Sequence, residues 1–239
     1  MDLAENLAHI RTRMAAACKR AGRNPASVEL MAVSKGQMAP AIRAAGALGL
    51  RLFGENKVQE ARLKIGQCPG NLRWHMIGHL QSNKCRDAIQ LFSFIQSVDS
   101  LNLAIELDRW AEKLSKTMPI LLEVNVAGES SKFGYAPKAV LADFAQIAAL
   151  KRLEIHGLMT IAPYSTTPEK VRPVFRQLRL LRDQCEQILA APLPVLSMGM
   201  SGDFEVAIEE GATIVRVGTA LFGPRTSSVR KESGEAEDP

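Results

Sequence analysis

Aromatic residues are scarce: Trp and Tyr occur twice each, and with eight Phe they make up 5% of 239 residues. The chain therefore lacks an aromatic-rich surface for stacking bases. The Lys and Arg residues behind its net charge of +5 are scattered rather than gathered into a binding stripe. Nucleic acid is not expected as a partner. Cysteine is also sparse. Cys18, Cys68, Cys85 and Cys185 form no C-x-x-C pair, and their spacing suggests neither a zinc site nor a disulfide framework, so no metal is expected. No apolar run approaches the ~18 residues that a membrane span needs. The opening MDLAENLAHIRTRM carries acids on a helical pattern, where a secretory signal would carry an apolar core. These features predict a cytoplasmic protein with reduced thiols. No G-x-G-x-x-G follows the first predicted strand, which weighs against an open dinucleotide-binding sheet.

The remaining composition, 46% hydrophobic and 23% charged, is that of a soluble globular protein long enough for one large core. Short apolar runs predict strands over 28–35, 50–56, 72–78, 92–99, 119–127, 153–161, 194–200 and 212–218. Helical patterns fill the intervals, over 40–47, 57–66, 82–91, 100–117, 137–150, 168–190 and 203–210. One further helix, 3–21, precedes the first strand. Near-continuous apolar strands joined by helices indicate a parallel sheet covered on both faces. Eight such units predict an α/β fold, a single (β/α)8 TIM barrel with an extra N-terminal helix. The barrel is assigned to residues 1–225. The polar stretch 226–239 has no apolar period and is expected to be a disordered tail. Arg172, Arg176, Arg179 and Arg182 share a face of the 168–190 helix, either as a solvated surface or as an anion- or partner-binding one.

A barrel carries its active site at the C-terminal ends of its strands. Polar residues at those ends are Ser34-Lys35, Glu55-Asn56, His79, Asn125, Met159-Thr160, the run Ser197 to Asp203, Arg216 and Gly218-Thr219. Lys35 shares strand parity with Met31 and Val33 and can point inward. A lysine amine taken out of water loses its proton more readily and becomes a nucleophile for carbonyls. The plain alternative is a strand-end lysine reaching into solvent. The serine–glycine loop after strand 7 and Gly218-Thr219 after strand 8 lie where barrels commonly bind phosphate, and Asp203 or Ser201 is placed to cap the helix that follows. A Schiff-base lysine facing a phosphate cup is what pyridoxal 5′-phosphate (PLP) requires. Arg216 interrupts an apolar strand and needs a partner, either Glu123 or an acceptor on a ligand.

The stretches AVSKG (32–36), FGENKVQEA (53–61), WHMIGHLQSNK (74–84), SVDS (97–100), EVNVAGESSKFG (123–134), GLMTIAP (157–163), LSMGMSGDFEVAI (196–208) and VRVGTALFG (215–223) together carry a resemblance. The chain resembles the YggS/PROSC family, the pyridoxal phosphate homeostasis proteins, whose barrel is that of the alanine racemase N-terminal domain. The resemblance implies that Lys35 binds PLP covalently as a Schiff base and that Ser201, Gly218 and Thr219 contact its phosphate. It puts Arg216 at the pyridine nitrogen and Asn56 beside the ring. His79, Met159, Ser197 and Met200, at the same mouth, complete the candidate cofactor-binding set. Lys132 matches a recurring family lysine without an assigned role. Two departures stand out: Gly36 where threonine is common, and Lys57 where tyrosine is.

The implied activity is intracellular PLP homeostasis, by storage, buffering or delivery to apo-enzymes, in a monomer without robust catalysis. An arginine at the ring nitrogen makes PLP a weaker electron sink. The second acid/base of a racemase, a tyrosine on another domain, is not expected here, where Tyr135 and Tyr164 are the available tyrosines. A PLP-dependent amino-acid racemase is the rival reading. A PLP-free barrel enzyme acting on a phosphorylated substrate is the third.

Overall fold

The computed structural model describes residues 2–223. Chain entry is a helix, α1 (Leu3–Arg20), whose start is fixed by reciprocal bonds between Asp2 and Glu5. Its apolar positions Leu7, Ile10, Met14 and Ala17 recur at helical spacing, and all are buried.

Eight parallel strands follow: β1 (Glu29–Val33), β2 (Leu52–Glu55), β3 (Arg73–Met76), β4 (Phe94–Val98), β5 (Met118–Glu123), β6 (Leu153–Met159), β7 (Val195–Ser197) and β8 (Ile214–Val217). They pair in sequence order, and β8 returns to β1 with Met31 opposite Arg216, closing the barrel. Between and after them run α2 (Ala39–Ala47), α3 (Val58–Ile65), α4 (Cys85–Leu91), α5 (Leu101–Lys113), α6 (Pro137–Ala148), α7 (Arg172–Leu189), α8 (Phe204–Glu209) and the short α9 (Thr219–Phe222). The predicted (β/α)8 barrel with an extra N-terminal helix is thus the observed fold. The tail expected over 226–239, and with it the boundary at 225, lies outside the described residues. Among those residues no helix is long and apolar enough to cross a membrane.

The main core lies between strands and helices. Phe53, Phe144, Phe175 and Phe204 are fully buried there, and each contributes roughly 1.5–3 kcal/mol by leaving water. The barrel interior is different. Met31, Leu52, Ile77 and Ile214 form a small apolar cluster with Val33 and Val195. Polar side chains also enter the interior, and they define the site below.

Several expectations need revision. β5 stops at Glu123, not at residue 127, because the Asn125 side chain donates to the Glu129 and Lys132 carbonyls and turns the chain. The arginine face of α7 is partly solvated, with the Arg176 side chain 57% exposed, and its arginines are paired with acids rather than left open to an anion. Arg172, Arg176 and Arg179 converge on Glu210, Arg172 also binds Glu169 and Glu209, and Arg182 pairs with Asp183. The pairs to Glu209 and Glu210 join α7 to the end of α8.

Candidate cofactor site at the barrel mouth

Lys35 is half-buried in the turn that leaves β1. Gln37 N–H donates to Ser34 O at 3.0 Å, so Lys35 is second in a four-residue turn and Gly36 third. Gly36 has φ +71°, the sign that a type II turn demands at its third position and that glycine supplies without strain. The departure from threonine at Gly36 is therefore built into the local backbone of this chain.

The neighbours of Lys35 are held by groups that the sequence reading did not single out. Lys64 on α3 is 7% exposed. Its ammonium donates to Ser34 O at 2.8 Å and to both Glu55 oxygens at 3.0 and 3.2 Å, and also binds Glu60. Ser34 Oγ donates to Glu55 at 2.6 Å, and Gly36 N–H donates to Glu60 at 2.5 Å. Burial pushes the Glu55 carboxyl upward, against the pull of Lys64 and Ser34. An i,i+4 Glu–Lys pair on an amphipathic helix reads in sequence as a solvated surface pair. Only the folded barrel sets it under the lysine turn.

Arg216 is 4% exposed, inside the barrel. Its NH1 donates to Ser197 Oγ at 2.8 Å and its NH2 to Thr160 O at 2.7 Å. Ser197 Oγ donates in turn to Gln96 at 2.7 Å, and the Gln96 amide nitrogen lies 2.9 Å from His75 Nδ1. A polar chain therefore crosses the interior from β8 to β3. The bonded partners of Arg216 are Ser197 and Thr160. Glu123, one of the two partners offered from sequence, attracts the guanidinium through space without bonding it. Burial pushes Arg216 down to about 10, so it stays charged near neutral pH. Five donors less two leaves N–H groups for a further acceptor in the barrel.

The loops after β7 and β8 meet. Ser201 Oγ accepts from Ala220 N–H at 3.4 Å, and a Cβ at Gly218 would stand 3.3 Å from Val33 O, two residues before Lys35. Gly218-Thr219 and the lysine turn are thus adjacent. The hydrogen bonds of the described residues leave the N–H groups of Ser201, Gly202 and Thr219 unused. Asp203 does not cap α8. Its carboxylate accepts from Met200 N–H at 2.6 Å and closes the loop upon itself. Met159 is fully buried opposite Ser197, and Met200 is half-buried.

His79 and Asn56 line a flanking pocket of about 290 Å3 with Lys57, Met76 and Lys84. Lys35, Arg216 and Thr219 do not line it. His79 pairs with Asp99 at 3.0 Å and stacks on Phe133 at 3.7 Å. Lys132 acquires a role here: it donates to Ala162 O at 3.1 Å and to Glu129 at 2.8 Å, tying the loop after β5 to the loop after β6. A larger cleft, about 440 Å3, opens at the opposite end of the barrel among Arg11, Glu29, Arg51 and Arg73. It is remote from this chemistry.

The model of the alanine racemase N-terminal domain matches residues 6–226. A pyridoxal phosphate homeostasis protein of Aquifex aeolicus is 45% identical over 226 residues, covering 94% of this chain and 99% of that protein. The chain belongs to the pyridoxal phosphate homeostasis family. Its member from Pseudomonas aeruginosa is 44% identical, over 93% of this chain and 96% of that one. Among solved structures, PipY of Synechococcus elongatus with PLP bound matches at a TM-score of 0.82 and 42% identity, over 93% of this chain and 100% of PipY. An alanine racemase of Clostridium difficile matches at a TM-score of 0.73 but 15% identity, over 95% of this chain and 58% of that one, and shares the fold alone.

Two buried groups of this family member's interior titrate in opposite senses. Glu123 is pushed up to about 7 by burial and by Asp99, against the pull of Arg216. The fold holds a proton that the unfolded chain has released, so Glu123 weakens the fold as pH rises from about 4.5 to about 7. His75 is pushed down to about 3 by burial. The fold excludes a proton that the unfolded chain takes up, so that contribution is lost as pH falls below about 6.5. Glu123→Gln removes the first effect and leaves the second. Its stability relative to wild type is expected to grow by roughly 2–3 kcal/mol between about pH 5 and about pH 8. Urea unfolding at each pH measures this, and a pH-independent difference would show that Glu123 is not the group involved.

Proposed function

We propose that the protein binds PLP as a Schiff base on Lys35 and serves intracellular PLP homeostasis, storing, buffering or handing over the cofactor. The carrying observation is the adjacency of three features at one barrel mouth: the Lys35 turn, the Ser201/Gly218-Thr219 corner with unused N–H groups, and a buried Arg216 with donors to spare. PLP supplies an aldehyde, a phosphate and a pyridine nitrogen, one for each feature. Bound there, PLP would supply an aldehyde carbon that the Lys35 amine could hold covalently with loss of water, a condensation that needs no oxidant or reductant. Ser201, Gly218 and Thr219 hold the phosphate. Arg216, still a cation near neutral pH, keeps the ring nitrogen unprotonated and favours holding the cofactor over turnover. Ser197 orients Arg216. Asn56 and His79, in the flanking pocket, would face the ring side of the ligand, and Met159 and Met200 would shape its apolar walls.

No tyrosine is set to act as a second acid at the barrel axis: Tyr135 is buried beside Asp143 of α6, and Tyr164 is 91% exposed. The reading extends to a cytoplasmic monomer whose four free thiols stay reduced, with apo PLP enzymes as recipients.

Borohydride reduction of the PLP-loaded protein, followed by peptide mapping, tests the assignment. The label is expected on Lys35, and Lys35→Ala is expected to lose it while keeping its fold. Full labelling of Lys35→Ala would place the Schiff base elsewhere.

A further inference from the structure

We infer that Glu60, acting with Lys64 and Glu55, is a positioning residue for Lys35: it holds the peptide flanking the lysine so that the amine meets an aldehyde in reacting geometry. The inference rests on the Schiff-base reading above and adds residues and a role to it.

The argument starts from the turn. A lysine side chain has four carbons and much rotamer freedom to lose when it is fixed. Its aim is only as good as the peptide that carries it, because a shift of about 1 Å at a reacting centre can cost on the order of a hundredfold. The peptides on both sides of Lys35 are gripped by side chains from outside the turn. Ser34 O receives the Lys64 ammonium at 2.8 Å as well as Gln37 N–H at 3.0 Å. Ser34 Oγ is anchored on Glu55 at 2.6 Å. Gly36 N–H is received by Glu60 at 2.5 Å. Lys64 also binds Glu55 and Glu60 together, so the two grips form one unit carried by β2 and α3.

A largely buried unit of two carboxylates and one ammonium, with only Glu60 partly open to solvent, is a poor device for stability alone, since apolar residues of the same volume often do as well. What it does supply is direction. Charge-assisted bonds from Lys64 and Glu60 fix the carbonyl before Lys35 and the N–H after it, while Glu55 holds the Ser34 hydroxyl. Gly36, at φ +71°, is the flexible member of this turn, and its N–H is the one that Glu60 receives.

The test separates the covalent step from the rest of binding. PLP is compared with pyridoxine 5′-phosphate, which has an alcohol in place of the aldehyde and cannot react with Lys35. Glu60→Ala is expected to lower borohydride-trapped label on Lys35 at limiting PLP by tenfold or more, while affinity for pyridoxine 5′-phosphate changes less than twofold. Glu60→Gln keeps an oxygen for Gly36 N–H and is expected to recover at least a third of the lost labelling. Should Glu60→Ala not fold, Glu60→Leu keeps the volume without an acceptor and is judged by the same two criteria. Equal loss of both ligands would mean a merely structural role and overturn the inference, as would wild-type labelling in the truncated variant. A wild type that is never labelled overturns the Schiff-base reading itself, and the positioning role with it. A labelled wild type with an equally labelled Glu60→Ala overturns the positioning role alone.

Discussion

Arg216→Met is expected to lower the unfolding free energy by about 3 kcal/mol, in the range found when one partner is removed from a buried charged network. Methionine keeps the unbranched apolar stem but is shorter, so the loss combines the missing charged head with the space that head filled. Thr160 O loses its 2.7 Å donor and Ser197 Oγ its 2.8 Å donor, both in the buried interior. An orphaned buried acceptor costs roughly 1–3 kcal/mol. Glu123 and Asp203, which the guanidinium attracts through space, lose their counter-charge. Glu123 can answer by keeping its proton, which sets the estimate near the lower end of the range. Two comparisons sharpen it. Arg216→Lys keeps the charge but not the fork that reaches Ser197 and Thr160 together, and is expected to recover less than half the loss. In the Glu123→Gln background, Arg216→Met is expected to cost about 1 kcal/mol less, because the orphaned carboxyl is gone. Denaturant midpoints measure all three. A stable Arg216→Met would mean that water replaces the guanidinium, and the donors assigned to the cofactor would lose their structural basis.

Arg216 also shows how far the sequence could be read. Its interruption of an apolar strand marked it as a cation in need of a partner, and the structure buries it inside the barrel. Its partners did not follow. Glu123 looked right as an acid in another apolar strand, but the bonds go to Ser197 and Thr160, at the ends of β7 and β6. Strand periodicity fixes the face of a residue and leaves open which neighbour lies within 3 Å. The same limit explains the arginines of α7. Their shared face was legible from helical spacing, whereas Glu210, which receives three of them, arrives only when α8 packs alongside. Lys64 was the hardest to see. Glu60 and Lys64 have the spacing of an ordinary solvated pair, and nothing local reveals that α3 folds them beneath the Lys35 turn. The barrel and the mouth residues were legible because each strand is a short apolar run and each chemical group sits at a strand end. Asp203 was misassigned for the reverse reason: an acid just before a helix usually caps it, and here a tight loop uses the carboxylate first.

Gly199→Ala is expected to be the most damaging small change at the corner proposed to hold phosphate. Gly199 has φ +92°, which a residue with a Cβ adopts only at a cost on the order of 1–3 kcal/mol. The added methyl would stand 2.5 Å from the Ala207 Cβ and 2.9 Å from the Phe204 Cα. Both neighbours belong to α8, and Phe204 is fully buried, so the helix cannot yield without disturbing the core. Overpacking of this kind adds roughly 1–3 kcal/mol, for a total loss of about 2–6 kcal/mol in denaturant unfolding. The functional consequence follows from the chain path. Gly199 O accepts from Arg216 N–H at 2.9 Å, and the next two residues lead to Ser201, whose hydroxyl meets Ala220 N–H. Displacing Gly199 therefore pulls the β7 loop away from β8 and opens the corner assigned to phosphate. Pyridoxal, which has the aldehyde and ring of PLP but no phosphate, isolates that effect. In wild type PLP should bind far more tightly than pyridoxal. In Gly199→Ala that preference is expected to shrink by tenfold or more, with Lys35 still labelled at saturating PLP. An unchanged preference in a folded variant would remove the loops after β7 and β8 from the phosphate site and leave Lys35 to hold the cofactor by its aldehyde alone.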